Sequence, residues 1–263
     1  CVNAAILYSC ESWGSSSLTN VEVLHRKVVK IALSLPSNTP NEILYIESGK
    51  HSLQANVYKR QFKFWKKIKN DMINSPDSPI TMLYQNAIDC NLPYLKHYIK
   101  LHEMFDDEKS CFDHYKNLDQ MTIESKVRES ARRDSESILG TYANINPTLS
   151  CPTFYQKYSC NEYDRLIITK YRAGAHHLNV QTGRYINEER SLRLCDCGLA
   201  VQTLNHVIFS CCLTEKIRNE NFKYHRDIAE FFDDYHNSAI MLRTIANIFK
   251  LRLNTFTIRF NTE

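Results

Sequence analysis

The pattern Cys195-x-Cys197-x8-His206-x4-Cys211 gathers four soft or borderline metal ligands within 17 residues. Two thiolates from a tight turn and two ligands from the far side can close a tetrahedral shell around zinc. Gly198, directly after the second cysteine, suits the reversal of the chain, and HVIFSC has helical spacing that sets His206 about one and a half turns before Cys211. Cys212 is an alternative to Cys211, and His176 or His177 are competing ligands. The first pair is tighter than the usual spacing of two to four residues, and buried cysteines also occur in ordinary cores. Four protein ligands leave no open coordination position and no HExxH spacing is present, so the expected zinc is structural and no catalytic residue is assigned.

The second chemical signal is charge. The 263 residues carry 33 Lys and Arg against 29 Asp and Glu, a net charge of +4. Residues 1–70 hold ten cations and four acids, so the excess is local. It is densest in VYKRQFKFWKKIKN, where Lys59, Arg60, Lys63, Lys66, Lys67 and Lys69 occur without an acidic residue. Leu53, Val57, Phe64, Trp65 and Ile68 recur there at helical spacing, which buries one stripe and splays the cations over the other faces. Such a surface suits a phosphate backbone, although a solvated basic helix reads the same way. Arg26, Lys27 and Lys30 on the preceding helix, and Arg172 and Arg184 in KYRAGAHHLNVQTGRY, are further candidate contacts; a helix end and turn is the alternative for that last stretch.

Other chemistry is excluded or weak. Six glycines are too few for a phosphate-cradling loop or a turn-rich β fold. No apolar run reaches the roughly 20 residues that span a bilayer, so no membrane partner is expected. Ten cysteines, scattered apart from the local cluster, fit free thiols in a reducing nuclear or cytoplasmic compartment better than a disulfide scaffold. FFDD, residues 231–234, matches the aromatic-x-Asp-Asp pattern of two-metal polymerases. Its context is helical, however, so a polymerase or nuclease site using Asp233 and Asp234 is the least favoured alternative.

The elements that position these groups are helical. Leu18, Val21, Leu24, Val28, Ile31 and Leu35 form one apolar face, with Thr19 and Glu22 at capping-box spacing. Thr39-Pro40-Asn41-Glu42 starts a short helix that Ser48-Gly49 ends. SPDSP, residues 75–79, is a break, and helices are expected over 80–90, 92–104 and 123–139. Asp106-Asp107-Glu108 and residues 126–136 read as solvated faces, and 144–152 as a loop. The predicted fold is mainly α: a basic helical thumb-like region (1–74), a helical connector (75–150), a zinc-knuckle region (151–225) and C-terminal helices (226–263).

With those motifs in view, the chain resembles the region after the catalytic palm in reverse transcriptases of non-LTR, LINE-type retrotransposons. ILYSCESWG, with Leu7, Tyr8, Glu11 and Trp13, then LHRKVVKIALSLP and TPNEILYIESG, resemble the segment after the palm. Arg172, Gly174 and His176, followed by Cys195, Cys197, Thr203, His206 and Cys211, resemble the family's zinc-knuckle region. The family often has Gly where Ser9 stands. The resemblance covers roughly residues 5–218 and implies a thumb that holds a primer–template duplex and a knuckle that binds RNA or target DNA. It also implies that the palm, with its magnesium-binding aspartates, precedes Cys1, so that the chain is a non-catalytic fragment partnered by the parent's palm. A transposon-derived, zinc-stabilised protein-interaction domain is the alternative.

Overall fold

The computed structural model describes residues 5–13, 18–153, 161–221 and 227–249. The fold is mainly α: fourteen α-helices and no strand occur among the described residues, with one isolated antiparallel bridge between Leu194 and Val201. The chain divides into two compact units, Cys1–Val28 with Lys50–Ser125, and Val29–Gly49 with Lys126–Glu263. Both are assembled from non-adjacent stretches, which a sequential division into segments does not express.

In the first unit the helices are α1 (Cys10–Trp13), the first part of α2 (Leu18–Ala32), α4 (Gln54–Asn74), α5 (Pro79–Asp89), α6 (Pro93–Met104) and most of α7 (Glu108–Arg133). Helix α4 is the spine, and its stripe Ala55, Val57, Gln61, Phe62, Trp65 and Ile68 is buried. Leu7, Cys10, Leu53 and Val57 pack at one end, and Trp65, Ile68, Ala87, Leu95 and Tyr98 at the other. Between them Phe62 meets Leu101 and Cys111. The break at 75–79 works through capping: Ser78 Oγ accepts the Thr81 N–H at 3.2 Å, and Pro79 opens α5.

Several helical expectations are corrected. Glu22 does not close a capping box with Thr19; it is buried, and its carboxylate accepts the Leu53 N–H at 2.7 Å. Leu24 and Ile31, predicted to face the core, are exposed, while Glu22, His25 and Lys30 of the same helix are buried. The periodicity therefore identifies the helix but not its buried face. The helix expected over 123–139 begins instead at Glu108, capped by Asp107, whose carboxylate accepts the Lys109 and Ser110 N–H groups. Those bonds, the Ser110 one first, hold Asp107 below the usual carboxylate range. It ends at Arg133, and Ser137 caps a separate helix α8 (Ile138–Ile145) by accepting the Gly140 N–H at 2.9 Å.

The second unit contains α3 (Asn41–Ser48), α8, α9 (Glu162–Arg172), α10 (Asn179–Tyr185), α11 (Leu204–Phe209), α12 (Glu215–Asn221), α13 (Ile228–Asp233) and α14 (Tyr235–Ile248). One continuous apolar cluster joins Ile145, Ile168, Tyr171 and Leu178 to Leu204, Val207 and Ile208, and on to Phe231, Phe232, Met241 and Ile245. Cys195 and Cys211 belong to the same cluster. In the same unit, Glu47 is fully buried; its Oε1 accepts from Arg172 Nε at 2.9 Å and from the Tyr142 hydroxyl at 2.7 Å. The hydroxyl keeps its proton, because burial first and the Glu47 charge second raise its pKa.

Candidate metal centre and basic groove

Residues 194–203 fold into a tight reversal. The Cys195 N–H donates to Ala200 O at 2.8 Å, the Gln202 N–H to Arg193 O at 2.9 Å, and the Gly198 N–H to Cys195 O at 2.7 Å. Gly198 has φ of 74°, the left-handed region where a residue without Cβ is cheapest, and a Cβ there would meet nothing within 4 Å. The requirement for glycine is thus the backbone angle itself. Thr203 then caps α11, its Oγ1 accepting the His206 N–H at 3.1 Å. The Cys211 N–H donates to His206 O at 2.8 Å, bringing the two ligands of that side together. Thr214 Oγ1 donates to Val207 O at 2.6 Å, and Arg218 Nη1 to Cys211 O at 3.2 Å, so a further layer fixes Cys211.

The outcome is one Cys3His group. Cys195 Sγ lies 3.7 Å from Cys211 Sγ, Cys197 Sγ lies 3.3 Å from His206 Nε2, and all four ligand atoms fall within 4.8 Å of one another. This set can hold a metal ion. All described cysteines are free thiols. Cys212, the alternative to Cys211, is exposed and outside the group, and His176 and His177 do not join it. The three thiols differ in character. Burial pushes Cys195 up to about 12 and also raises Cys211, whereas the Leu199 N–H, followed by His206, pulls Cys197 down to about 6. Bringing a cation into the group displaces the two buried thiol protons.

FFDD does not form a second such group. Phe231 and Phe232 are core residues, Asp233 ends α13, and the Asp234 carboxylate caps α14 at Asn237. Among the described residues no third carboxylate gathers with Asp233 and Asp234.

The cations of α4 separate into two faces. Lys59, Arg60, Lys63 and Lys67 line an open groove of about 540 Å³ together with Glu11, Asn56 and Phe64. Lys59, Lys63 and Lys67 are four residues apart and so repeat about every 6 Å along one face of the helix. Lys59 also stands over the Phe112 ring at 5.3 Å. Arg60 is partly structural: its Nη1 donates to Leu7 O, and Glu11 lies 4.0 Å away. Lys66 and Lys69 lie on the other side, where after burial their charges contribute to lowering the His102 pKa.

Other sequence-predicted cations divide likewise. Lys27 is exposed and Arg26 half-buried. Lys30 is corrected to a structural residue, buried with Nζ donating to Ser37 O and Thr39 O, both at 2.7 Å. Arg172 is corrected in the same sense by its pairing with Glu47. Arg184 is half-buried, donating to Gln181 Oε1 at 3.0 Å and to Glu136 O. A short cationic run marks local density in a sequence; which guanidinium is drawn inward depends on a carboxylate far along the chain.

Set against protein-family models, curated proteins and solved structures, the chain matches none of them. Among the described residues, no helix is long and apolar enough to cross a membrane.

Sequence reasoning did not single out Glu47, Tyr142 or Gln202. Gln202 Oε1 accepts the Asn179 N–H at 2.7 Å, and Asn179 Nδ2 donates to Leu194 O at 2.7 Å, which ties the element after His176 to the turn that carries Cys195 and Cys197. No local pattern marks these pairings, since Glu47 lies 95 positions from Tyr142 and 125 from Arg172, and Gln202 lies 23 from Asn179.

Proposed function

We propose that this chain binds nucleic acid, as the non-catalytic C-terminal part of a reverse transcriptase of the non-LTR retrotransposon type, with zinc ordering its Cys3His turn. The carrying observation is the groove on α4. Lys63 and Lys67 are exposed, Lys59 is on the same face, and Phe64 offers an aromatic ring beside them. Cations attract the backbone of RNA or DNA, and an aromatic face stacks on unpaired bases.

Zinc is the ion favoured by the donor set. Three thiolates and an imidazole match its ligand chemistry, and Zn–S bonds of about 2.3 Å in a tetrahedron separate two sulfurs by about 3.8 Å. The Cys195–Cys211 separation is 3.7 Å. With four protein ligands the ion is structural. The resemblance gains support from Ser9, whose φ of 52° lies where glycine is least strained, at the position where the family often has Gly. In this reading the compartment is reducing, nuclear or cytoplasmic, and palm chemistry with magnesium belongs to the parent polypeptide.

The test is a filter-binding titration of the chain on duplex and single-stranded RNA across salt concentrations. Each lost phosphate contact lowers the slope of log affinity against log salt by about 0.9 on a duplex and about 0.7 on a single strand. Replacing Lys59, Lys63 and Lys67 together by Gln is expected to reduce the slope by roughly two to three, and Lys66→Gln by less. Affinity indifferent to salt, or unchanged in the triple variant, overturns the reading. A second reading, a zinc-stabilised protein-interaction domain, is favoured by Ile80, Met82 and Leu83, all exposed on α5. It predicts loss of a protein partner, and no change in RNA affinity, when those three are made polar.

A further inference from the structure

A separate cavity belongs wholly to the unit that carries the Cys3His group. Its volume is about 470 Å³, within the range typical of small-molecule sites. His176 lines it, 7% exposed and stacked on Tyr171 at a centroid distance of 5.2 Å. His176 Nδ1 accepts the Leu178 N–H at 3.4 Å, so the neutral ring carries its proton on Nε2. That N–H has no hydrogen-bond partner among the described residues. An N–H in a cavity wall can donate to an acceptor that enters the cavity.

Two guanidinium groups line the same space. Arg190 pairs with the Glu136 carboxylate, and Arg184 donates to the Glu136 carbonyl and to Gln181. A guanidinium has five N–H donors, so both retain N–H groups beyond these bonds. The other lining carboxylate, Asp227, caps α13 through Oδ1, which accepts the Ala229 and Glu230 N–H groups, both at 2.9 Å. Glu136 is therefore the internal anion that a more highly charged anion would displace. The remaining wall combines amide side chains, Gln181 and Asn205, with apolar Val180, Leu204 and Ile228. Guanidiniums, amides, an imidazole N–H and apolar side chains in one cavity match the phosphate, the base edge and the base face of a nucleotide.

We propose that this cavity binds one nucleotide, its phosphate on Arg190 and Arg184 in place of the Glu136 carboxylate, and its base edge at His176, Gln181 and Asn205. The choice of a nucleotide over other phosphate esters rests on the nucleic-acid reading; the exchange of phosphate for Glu136 does not. The ligand is either a free mononucleotide or an unpaired nucleotide within a strand, which share this chemistry.

Isothermal titration calorimetry of the full chain supplied with zinc tests it, using uridine 5′-monophosphate, uridine, inorganic phosphate and a ten-nucleotide oligouridylate. Arg190 and Glu136 are 37% and 55% exposed in their side chains, so both can be changed without disturbing the core. The monophosphate is expected to bind more tightly than uridine or phosphate alone. Arg190→Ala is expected to weaken it roughly tenfold, the scale of a lost charge-assisted bond. Glu136→Gln is expected to tighten it severalfold, because the competing carboxylate is gone; a merely structural role would not produce tightening. Oligouridylate that competes with the monophosphate places the nucleotide in a strand, and failure to compete makes it a free mononucleotide. Unchanged or weakened binding in Glu136→Gln, or uridine or phosphate binding as well as the monophosphate, overturns the proposal. If the triple lysine variant keeps its salt slope while these cavity variants respond as stated, the groove reading fails and the cavity stands. The opposite pattern removes the cavity alone.

Discussion

Along α4 in the first unit, apolar side chains meet their neighbours in separate small clusters at Val57, Phe62 and Trp65. In the second unit one continuous cluster contains two thiols of the Cys3His group, and a buried polar network joins Glu47 to Arg172 and Tyr142. The contrast shows two ways of holding helices. A long helix with aromatic partners, such as Phe62 stacked on His102 at 4.2 Å, is stabilised by area and ring packing, which are local and divisible. Helices of six to eight residues, such as Leu204–Phe209 and Ile138–Ile145, are too short to persist alone and depend on the apolar cluster and polar crosslinks around them.

The largest expected effect separates the units by metal. Native mass spectrometry should find one zinc per chain. Stripping it with a strong chelator should abolish hydrogen-exchange protection across residues 195–211 and lower that of the second unit's core, leaving α4 protected. Structural zinc contributes apparent binding free energies of about 10–16 kcal/mol in small domains, so partial loss of protection is not the expected result. Exchange that is identical with and without chelator removes the ion from the comparison.

Next comes the buried ion pair. Glu47→Ala strands the Arg172 charge and should destabilise the second unit by about 3–5 kcal/mol in urea unfolding. Replacing Glu47 and Arg172 together by Met and Leu should recover most of that loss, since well-packed apolar substitutes for a buried pair are often neutral. A double variant as damaged as the single one would show that the pair itself, not the stranded charge, carries the stability.

Acidification should also destabilise the second unit. Burial, and then the charges of His177 and Arg184, hold His176 neutral down to about 3, while an unfolded histidine titrates near 6.5. Between those values the unfolded chain binds the extra proton, so stability rises with pH and is lost as pH falls from about 6.5 toward 3. The cost at pH 5 is roughly 2 kcal/mol. His176→Asn should flatten the difference in urea midpoint between pH 7 and pH 5; an unchanged slope would mean that the ring already accepts a proton in the fold.

The smallest effect is expected in the first unit. Glu11 and Arg60 stand 4.0 Å apart and partly exposed, so Glu11→Gln should shift stability by less than about 1 kcal/mol. A larger loss would erase the distinction between the units' ion pairs.

Much of the architecture was legible from spacing. Of the predicted stripe, Leu53, Val57, Trp65 and Ile68 are buried, because i to i+4 periodicity is local and a helix repeats it faithfully. Phe64 instead lies half-buried in the groove, and Phe62 takes the core position. Helix α7 was less visible: it lacks a clear apolar face, and its N-terminal signal is Asp107 acting as a cap within a run read as solvated acids. The buried side of α2 was misread, since Glu22 and Lys30 find partners, the Leu53 N–H and the Ser37 and Thr39 carbonyls, that compensate their burial.

By itself, the sequence determined the helical class, the basic character of α4 and the Cys3His ligand set, because each depends on residues a few to 17 positions apart. Tertiary structure decided Cys211 over Cys212, gathered Lys59, Lys63 and Lys67 into one groove without Lys66, and turned Arg172 from a prospective phosphate contact into the partner of Glu47. The physical reason is common to all three. The fate of a charge or a thiol is set by burial and by its nearest counter-group, and Glu47 lies 125 residues from Arg172 along the chain.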